Sequence, residues 1–432
     1  MTRRTLALVA AVYSAVLLAL VPVKPLWLDE VIELNVTSAD ALQKIAESPG
    51  GAPLGYAGQW MLRPFRGTNP IWQSRLPSVV AAVASLIAFL LLCRRLLARR
   101  EAIFIAGFLW CICPLALRYA LEGRPYMQGT LFAMLAVLAQ LRLGERVSAV
   151  RFFALAVSLA AAIYSQPFAL FAPLVFSAWE VAKRREWKLA FITASAYAAA
   201  ALSFMPWYLH VQHYWSGSLL PNRGQFRMDA YLFATLLKEC VGDGYPAAIA
   251  AILAAAYGAI RGRSEPTLVV VGTVVLALAA DARFHYFFAT RQIIYMLPFL
   301  LILMAEGLVM LWRHPPHRIA AVVLGGVFVV ASLAKDYRHL ADHTEDWARL
   351  TVVVKGALNG GCLLTPTRDE ASLYSMIDPQ MSHYVCGPNL ANRVVVPITT
   401  YAGPEPLREL ASGFREVSNV QAGFATVKVF VR

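Results

Sequence analysis

The chain has 432 residues, of which 59% are hydrophobic and only 15% are charged. Soluble globular proteins carry about 25% charged residues, so this composition excludes an ordinary soluble protein and predicts a membrane protein. The formal net charge of +13 arises mainly from basic residues in the loops between apolar runs. It therefore gives no reason to predict a nucleic-acid partner.

Eleven apolar runs are long enough, or nearly so, to cross a bilayer core about 30 Å thick. The first run has no small-x-small cleavage site before Trp27, so we interpret it as a retained helix and not as a signal peptide. We predict an all-α polytopic membrane domain of about eleven transmembrane helices over residues 1–334. The runs lie at residues 5–23, 76–97, 102–117, 126–141, 152–165, 167–182, 189–209, 245–260, 266–282, 293–311 and 319–334.

Basic residues concentrate in alternate short loops between these runs. Cytoplasmic loops of membrane proteins carry such an excess of Lys and Arg. The pattern therefore predicts a cytoplasmic N-terminus and a C-terminus on the opposite side. The basic stretches on the predicted cytoplasmic side lie at residues 3–4, 94–100, 142–151, 183–188, 261–263 and 313–318.

The first external loop, residues 24–75, is too long for a simple turn. Its apolar spacing predicts two amphipathic surface helices, at Val31–Ile45 and Leu54–Phe65. A Ser-Pro-Gly-Gly-Ala-Pro stretch at 48–53 separates them.

Asp29 and Glu30 stand where the first apolar run ends. Two adjacent carboxylates at the mouth of a membrane helix are costly unless they bind a ligand or take part in chemistry. The alternative is that they only cap the following helix, because negative charge is favourable at a helix N-terminus. We favour the functional interpretation.

A second group of polar residues occupies the tight external turn between the third and fourth runs. It contains Arg118, Glu122, Arg124 and Tyr126. The alternative to a functional role is an ion pair of Glu122 with one of the two arginines, which contributes little when exposed.

Two further cations, Arg75 and Arg291, stand at the external ends of membrane runs, against the positive-inside bias. Each has a simpler explanation as a side chain that reaches the lipid headgroups. The choice between a ligand site and headgroup contact stays open at this stage.

Residues 335–432 lose the membrane pattern and form a predicted external segment. A helix at Thr351–Leu358 and strands at Cys362–Thr365, Arg393–Ile398 and Thr426–Val431 indicate a small α/β domain. This domain would lie on the same side of the membrane as Asp29.

Two of the six cysteines, Cys362 and Cys386, fall in this external domain. An oxidising periplasm would permit a disulfide between them. No Cys/His spacing resembles a zinc site.

The chain resembles the polytopic GT-C glycosyltransferases, in particular bacterial relatives of protein O-mannosyltransferases and lipid A aminoarabinose transferases (families 39 and 83). The resemblance covers about residues 20–310 and rests on the order of four short motifs. These are Trp27-x-Asp29-Glu30, Arg75-Leu76-Pro77-Ser78, Arg118 through Tyr126, and the run from Arg291 to Leu308. Many relatives carry His-Pro-Pro-Leu where this chain has Gly51-Ala52-Pro53-Leu54, so the subfamily and its sugar stay open.

The resemblance implies a multi-pass enzyme of the bacterial inner membrane with a periplasmic C-terminal domain. Its donor would be a polyprenyl-phosphate-linked sugar, and its acceptor a hydroxyl of an envelope glycolipid, glycan or protein. A transporter or flippase of lipid-linked saccharides is the alternative, although it does not explain the long first loop with its acid pair. A receptor or assembly protein would not need charges that converge on one face.

Sugar transfer from a polyprenyl phosphate requires a base for the acceptor and cations for the departing phosphate. Asp29 is the candidate base, Glu30 orients it or holds the acceptor, and a single displacement with inversion follows. A divalent metal on Asp29, Glu30 and Glu122 stays open as an alternative. The candidates for the donor phosphate and sugar are Arg75, Arg118, Arg124 and Arg291, with Glu122 fixing an arginine and Tyr56 or Tyr126 lining the sugar pocket.

Overall fold

The computed structural model describes residues 3–37, 53–65, 69–219, 238–239, 245–262, 264–284, 290–341, 345, 347–365, 368–386, 391–399, 413–422 and 425–432. Most of these residues are helical, and a small sheet lies near the C-terminus. The helices are α1 Arg3–Leu20, α2 Leu28–Val36, α3 Pro53–Met61, α4 Pro70–Leu96, α5 Arg100–Cys111, α6 Pro114–Ala120, α7 Tyr126–Glu145, α8 Ala149–Ser165, α9 Phe171–Arg184, α10 Trp187–Leu219, α11 Tyr245–Arg261, α12 Ser264–Phe284, α13 Leu297–Arg313, α14 Arg318–Ala341, α15 Trp347–Leu358 and α16 Arg368–Ile377. The strands are β1 Cys362–Leu363, β2 Arg393–Ile398, β3 Arg415–Ala422 and β4 Ala425–Val431.

The predicted apolar runs coincide with helices of the structure, except that the run at 102–117 is divided between α5 and α6. The chain is an integral membrane protein. Among the described residues, six helices are long and apolar enough to cross a membrane alone, and the bent pair α5–α6 makes a seventh. Helices α1, α8 and α11 are apolar but shorter. The predicted count of about eleven spans is therefore not confirmed.

Helices α5 and α6 meet at a bend of 54°. Pro114 opens α6, and the residue before it, Cys113, is extended. Proline cannot donate the hydrogen bond that would continue α5, and it favours an extended residue before it. The bend lets the seven-residue α6 and the turn after it bring Arg118 and Arg124 to one end of the bundle.

Polar contacts mark two ends of this bundle. At one end Glu30, from α2, contacts both Arg75, in the first turns of α4, and Gly123, between α6 and α7. At the other end Arg95 and Glu145, from the last turns of α4 and α7, form an ion pair. The first external loop and the turn at 118–126, which are predicted to share a side, are thus together in the structure, and so are the basic loops at 94–100 and 142–151.

The C-terminal segment contains a four-stranded sheet in the order β1-β2-β4-β3, with β1 and β2 parallel and the other pairs antiparallel. Helix α15 packs against it, and a disulfide joins Cys362 to Cys386. The small α/β domain predicted from the sequence is confirmed as a fold element. The division of the chain at residue 334 stays a prediction, since α14 continues to Ala341.

Helix α2 joins this domain to the bundle. It begins at Leu28, three residues earlier than predicted, because the Glu30 carboxylate accepts a hydrogen bond from the Trp27 N–H at 3.4 Å and so caps the first turn. Leu28, Val31 and Leu34 lie along one face and pack into the core of the C-terminal domain. Residues 38–45 of the predicted helix lie outside the described residues.

Candidate active site

Three carboxylates lie on the face of α2 opposite its apolar face. Asp29, Glu30 and Glu33 are separated by one, three and four positions, which places them together on one side of a helix. Because the apolar face is held in the C-terminal domain, the acidic face is turned toward the bundle.

Glu30 forms a buried ion pair with Arg75. The two carboxylate oxygens accept from Nε at 2.8 Å and from Nη2 at 2.7 Å, and the side chains are 0% and 3% exposed. Arg75 also donates to the carbonyls of Val21, Lys24 and Pro25 at 2.8, 2.9 and 2.9 Å. These contacts use all five N–H donors of the guanidinium.

The predicted contact between Arg75 and the donor phosphate therefore has no donor left to make it in this structure. Arg75 instead ties the end of α1 to the acidic face of α2. Glu30 in turn is occupied by Arg75 and by the Gly123 N–H at 2.8 Å. In this arrangement Arg75 does not reach a phosphate and Glu30 does not hold an acceptor, because each side chain is already bonded to the other. The other role predicted for Glu30, orienting Asp29, stays a prediction.

Gly123 lets the turn after α6 approach the start of α4. A Cβ atom at this position would lie 1.9 Å from the Oγ of Ser74. Its carbonyl also accepts from the amide of Gln59 at 2.6 Å. A larger residue would push the turn away from Glu30.

A second buried ion pair joins Glu33 to Arg124, with Nη1 2.7 Å from Oε1 and exposures of 3% and 19%. The Gln59 amide, from α3, donates to the other oxygen of Glu33 at 3.3 Å. Burial raises the pKa of Glu33 to about 7, although Arg124 lowers it and Asp29 adds a smaller increase.

A third ion pair, Arg118 Nε to Glu122 Oε1 at 2.7 Å, lies at the rim of a cavity. Arg118 is 39% exposed, and burial raises the pKa of Glu122 in spite of this partner. The cavity has a volume of about 200 Å³. It is lined by Lys24, Pro25, Trp27, Arg75, Arg118, Leu121, Glu122, His339 and Glu345.

The remaining predicted residues are placed differently. Tyr56 and Tyr126 are 2% and 4% exposed, and neither lines this cavity, so their contact with a sugar stays a prediction. Tyr126 packs on Tyr119, with ring centroids 4.8 Å apart. Arg291 is half-buried, and its charge acts on Tyr119, which places it near the same turn.

Asp29 differs from the other two acids of α2. Its side chain is half-buried, and it makes no hydrogen bond or ion pair with any residue that the structure describes. Its charge nevertheless acts on both Glu33 and Arg124. Asp29 is therefore the one carboxylate of this face whose oxygens are not already used by the described protein.

The described residues do not support the metal alternative. None of their His, Cys, Asp and Glu side chains forms a group of three or more that could hold a metal ion. Glu30 and Glu122 are each tied to an arginine, so they do not converge with Asp29 as ligands.

Sequence reasoning missed Glu33, Gln59 and His339. Glu33 could have been found from its spacing, because it follows Asp29 by four positions, which is about one helical turn, although the predicted helix began only at Val31. Gln59 and His339 carry no local signal, since their roles depend on partners or neighbours far away in the chain.

Three comparisons place these observations among known proteins. Residues 52–210 match the model of the dolichyl-phosphate-mannose-protein mannosyltransferase family. Two crystal structures of ArnT from Cupriavidus metallidurans are similar over nearly the whole chain. The one bound to undecaprenyl phosphate is 13% identical with a TM-score of 0.62, covering 99% of this chain and 98% of that one. The apo structure is 12% identical with a TM-score of 0.59, covering 97% of each.

No curated protein matches the chain. The chain has the fold of ArnT, with a helical membrane bundle and a small C-terminal sheet. The resemblance to GT-C glycosyltransferases seen in the sequence is confirmed by the family match and by this fold.

Proposed function

We propose that the chain is a membrane glycosyltransferase that moves a sugar from a polyprenyl-phosphate carrier to a hydroxyl group of an envelope glycolipid, glycan or protein. The observation that carries this proposal is Asp29. It is a half-buried carboxylate with no hydrogen-bonding partner among the described residues, held beside a frame of three Arg–Glu ion pairs. Such an isolated carboxylate is suited to accept a proton.

The proposed reaction is one displacement at the anomeric carbon. The acceptor oxygen bonds to that carbon as its proton passes to Asp29. The bond from the carbon to the phosphate oxygen breaks, and its electron pair leaves with the polyprenyl phosphate. A single displacement of this kind inverts the anomeric carbon.

Arg118 is the best-placed cation for the departing phosphate. It is the most exposed arginine of the three pairs and it lines the cavity beside Lys24 and His339. A guanidinium suits a bidentate oxyanion contact. Arg124 and Arg291 remain further candidates, and Arg75 acts as a positioning residue.

The comparisons support the proposed carrier, and the loop charges support the proposed location. ArnT binds undecaprenyl phosphate in a structure that shares this fold over the full chain. The loop charges favour a cytoplasmic N-terminus, which puts Asp29 and the C-terminal domain on the periplasmic side of the inner membrane.

Purified protein in liposomes should transfer label from undecaprenyl-phosphate [¹⁴C]mannose to an acceptor in an envelope extract. Mannose is the first probe because it is the sugar named by the matching family model. The extract should then be taken from a deletion strain, and other undecaprenyl-phosphate sugars tested in turn. Movement of the labelled lipid between leaflets without transfer to any acceptor would instead support the transporter.

Arg118→Ala should lower kcat/KM for the donor by about 10- to 100-fold, the usual effect of losing a hydrogen bond to a charged group. Arg118→Lys should recover only part of this loss in kcat/KM, because lysine keeps the positive charge but cannot donate two parallel hydrogen bonds to the phosphate. Arg415→Ala, an exposed arginine of the C-terminal sheet, is the matched control. Unchanged donor kinetics in Arg118→Ala would remove Arg118 from the phosphate site.

A further inference from the structure

Glu33 is a buried acid for which the proposed chemistry has no use. It lies one helical turn after Asp29, and its carboxylate holds the Arg124 guanidinium at 2.7 Å. Arg124 also feels the charge of Asp29. Arg124 is thus attracted electrostatically by two carboxylates, Asp29 and Glu33, and it forms its ion pair with the buried one, Glu33.

This choice of partner matters for a general base. A carboxylate that pairs with a guanidinium uses its oxygens as acceptors and loses basicity. If Arg124 were not held by Glu33, the nearby charge of Asp29 would attract it. Asp29 would then no longer be free to receive the proton of an acceptor.

We propose that Glu33 is a positioning residue that holds Arg124 away from Asp29 and thereby keeps the catalytic base free. This inference rests on the proposed glycosyltransferase function. It adds an acid that neither the sequence motifs nor the comparisons single out.

The ion pair between Glu33 and Arg124 also makes the position of Arg124 depend on pH. The charged groups of the described residues that act on Glu33 are Arg124, from the turn before α7, and Asp29 and Glu30, from α2, while α3 presents the neutral amide of Gln59. Burial raises the pKa of Glu33 to about 7. Below that pH Glu33 is protonated and releases Arg124, and above it the carboxylate holds Arg124 again.

The wild-type transfer rate should therefore fall as the pH drops through about 7. Glu33→Gln should lower kcat at pH 8 by about tenfold, within the range of coupling between contacting charges. It should also remove the fall in rate between pH 8 and pH 6, because the titrating group is gone. A purely structural role would lower the amount of folded protein without changing the shape of the pH profile.

The double variant Glu33→Gln/Arg124→Gln tests whether the loss of activity in Glu33→Gln is caused by the release of Arg124. In the Arg124→Gln background, Glu33→Gln should cause no further loss, because there is no arginine left to capture Asp29. The control is Glu180→Gln, which changes another buried glutamate that pairs with Arg184, away from the site. Its pH profile should match that of the wild type.

A second measurement covers the case in which Glu33→Gln does not fold. Gln59→Met removes the hydrogen bond that lowers the pKa of Glu33, so the fall in rate should move to higher pH. An equal loss from Glu33→Gln in both backgrounds, or a pH profile that neither variant changes, would overturn the role of Glu33. Absence of transfer by the wild type would instead overturn the proposed function, and this inference with it.

Discussion

Asp29→Asn is expected to lower kcat by roughly 10²–10⁴, the usual contribution of a positioned general base. The amide has the shape of the carboxylate but cannot take up the acceptor proton. Because Asp29 makes no hydrogen bond or ion pair with the described residues, the substitution breaks no contact of the fold there. The variant should insert in the membrane and unfold at the temperature of the wild type.

Donor binding should survive in this variant, because the phosphate would lie on the cavity that Arg118 lines. Binding of undecaprenyl phosphate, measured by its protection against thermal unfolding, should therefore be unchanged while turnover is lost. Asp378→Asn in the C-terminal domain is the matched control, since among the described residues the Asp378 side chain pairs with Lys355 and caps a short helix, away from the candidate site. Wild-type turnover in Asp29→Asn would send the search for a base to Glu122.

The membrane architecture was predictable because it depends on composition over long windows. Apolar runs place every helix of the bundle, and a short run of apolar residues predicts β2 at its observed bounds, Arg393–Ile398. Helix α16 and strand β3 were missed. Strand β3 is exposed along nearly its whole length, so it has no apolar alternation to reveal it.

The partners of the charged residues were not predictable in the same way. Arg75 and Glu30 are 45 positions apart, and Glu30 and Gly123 are 93 apart. Sequence reasoning placed the charges of Arg75 and Glu30 on one side of the membrane. It could not distinguish a charged residue that binds a ligand from one that forms an ion pair within the protein. Only the distances reveal that Arg75 has no N–H to spare.

The long-range contacts also explain why a single short helix carries the site. Helix α2 has nine residues, which is too few to be stable in water by itself. Its apolar face is held by the C-terminal domain, and its acids are held by Arg75 and Arg124. The position of Asp29 is thus fixed by the contacts of its neighbours on α2, with the C-terminal domain on one face and with the two arginines on the other.

Arg75→Met is expected to cost about 3–5 kcal/mol in the free energy of unfolding, because removing one partner leaves the other charge buried and uncompensated. Glu30 is 0% exposed and would keep only the backbone contacts of Gly123 and Trp27. Methionine fills much of the volume of the arginine stem, so a cavity contributes little. The measurement is unfolding in mixed detergent micelles, followed by tryptophan fluorescence.

Arg95→Met is the matched control, since it breaks an ion pair whose two side chains are about 43% and 44% exposed. It should change the stability little, because exposed pairs contribute little. Adding Glu30→Gln to Arg75→Met should restore part of the loss, because the uncompensated charge is then removed. If Arg75→Met were as stable as the wild type and lost only donor affinity, Arg75 would be a phosphate ligand after all, and the ion pair with Glu30 would give way when the donor binds.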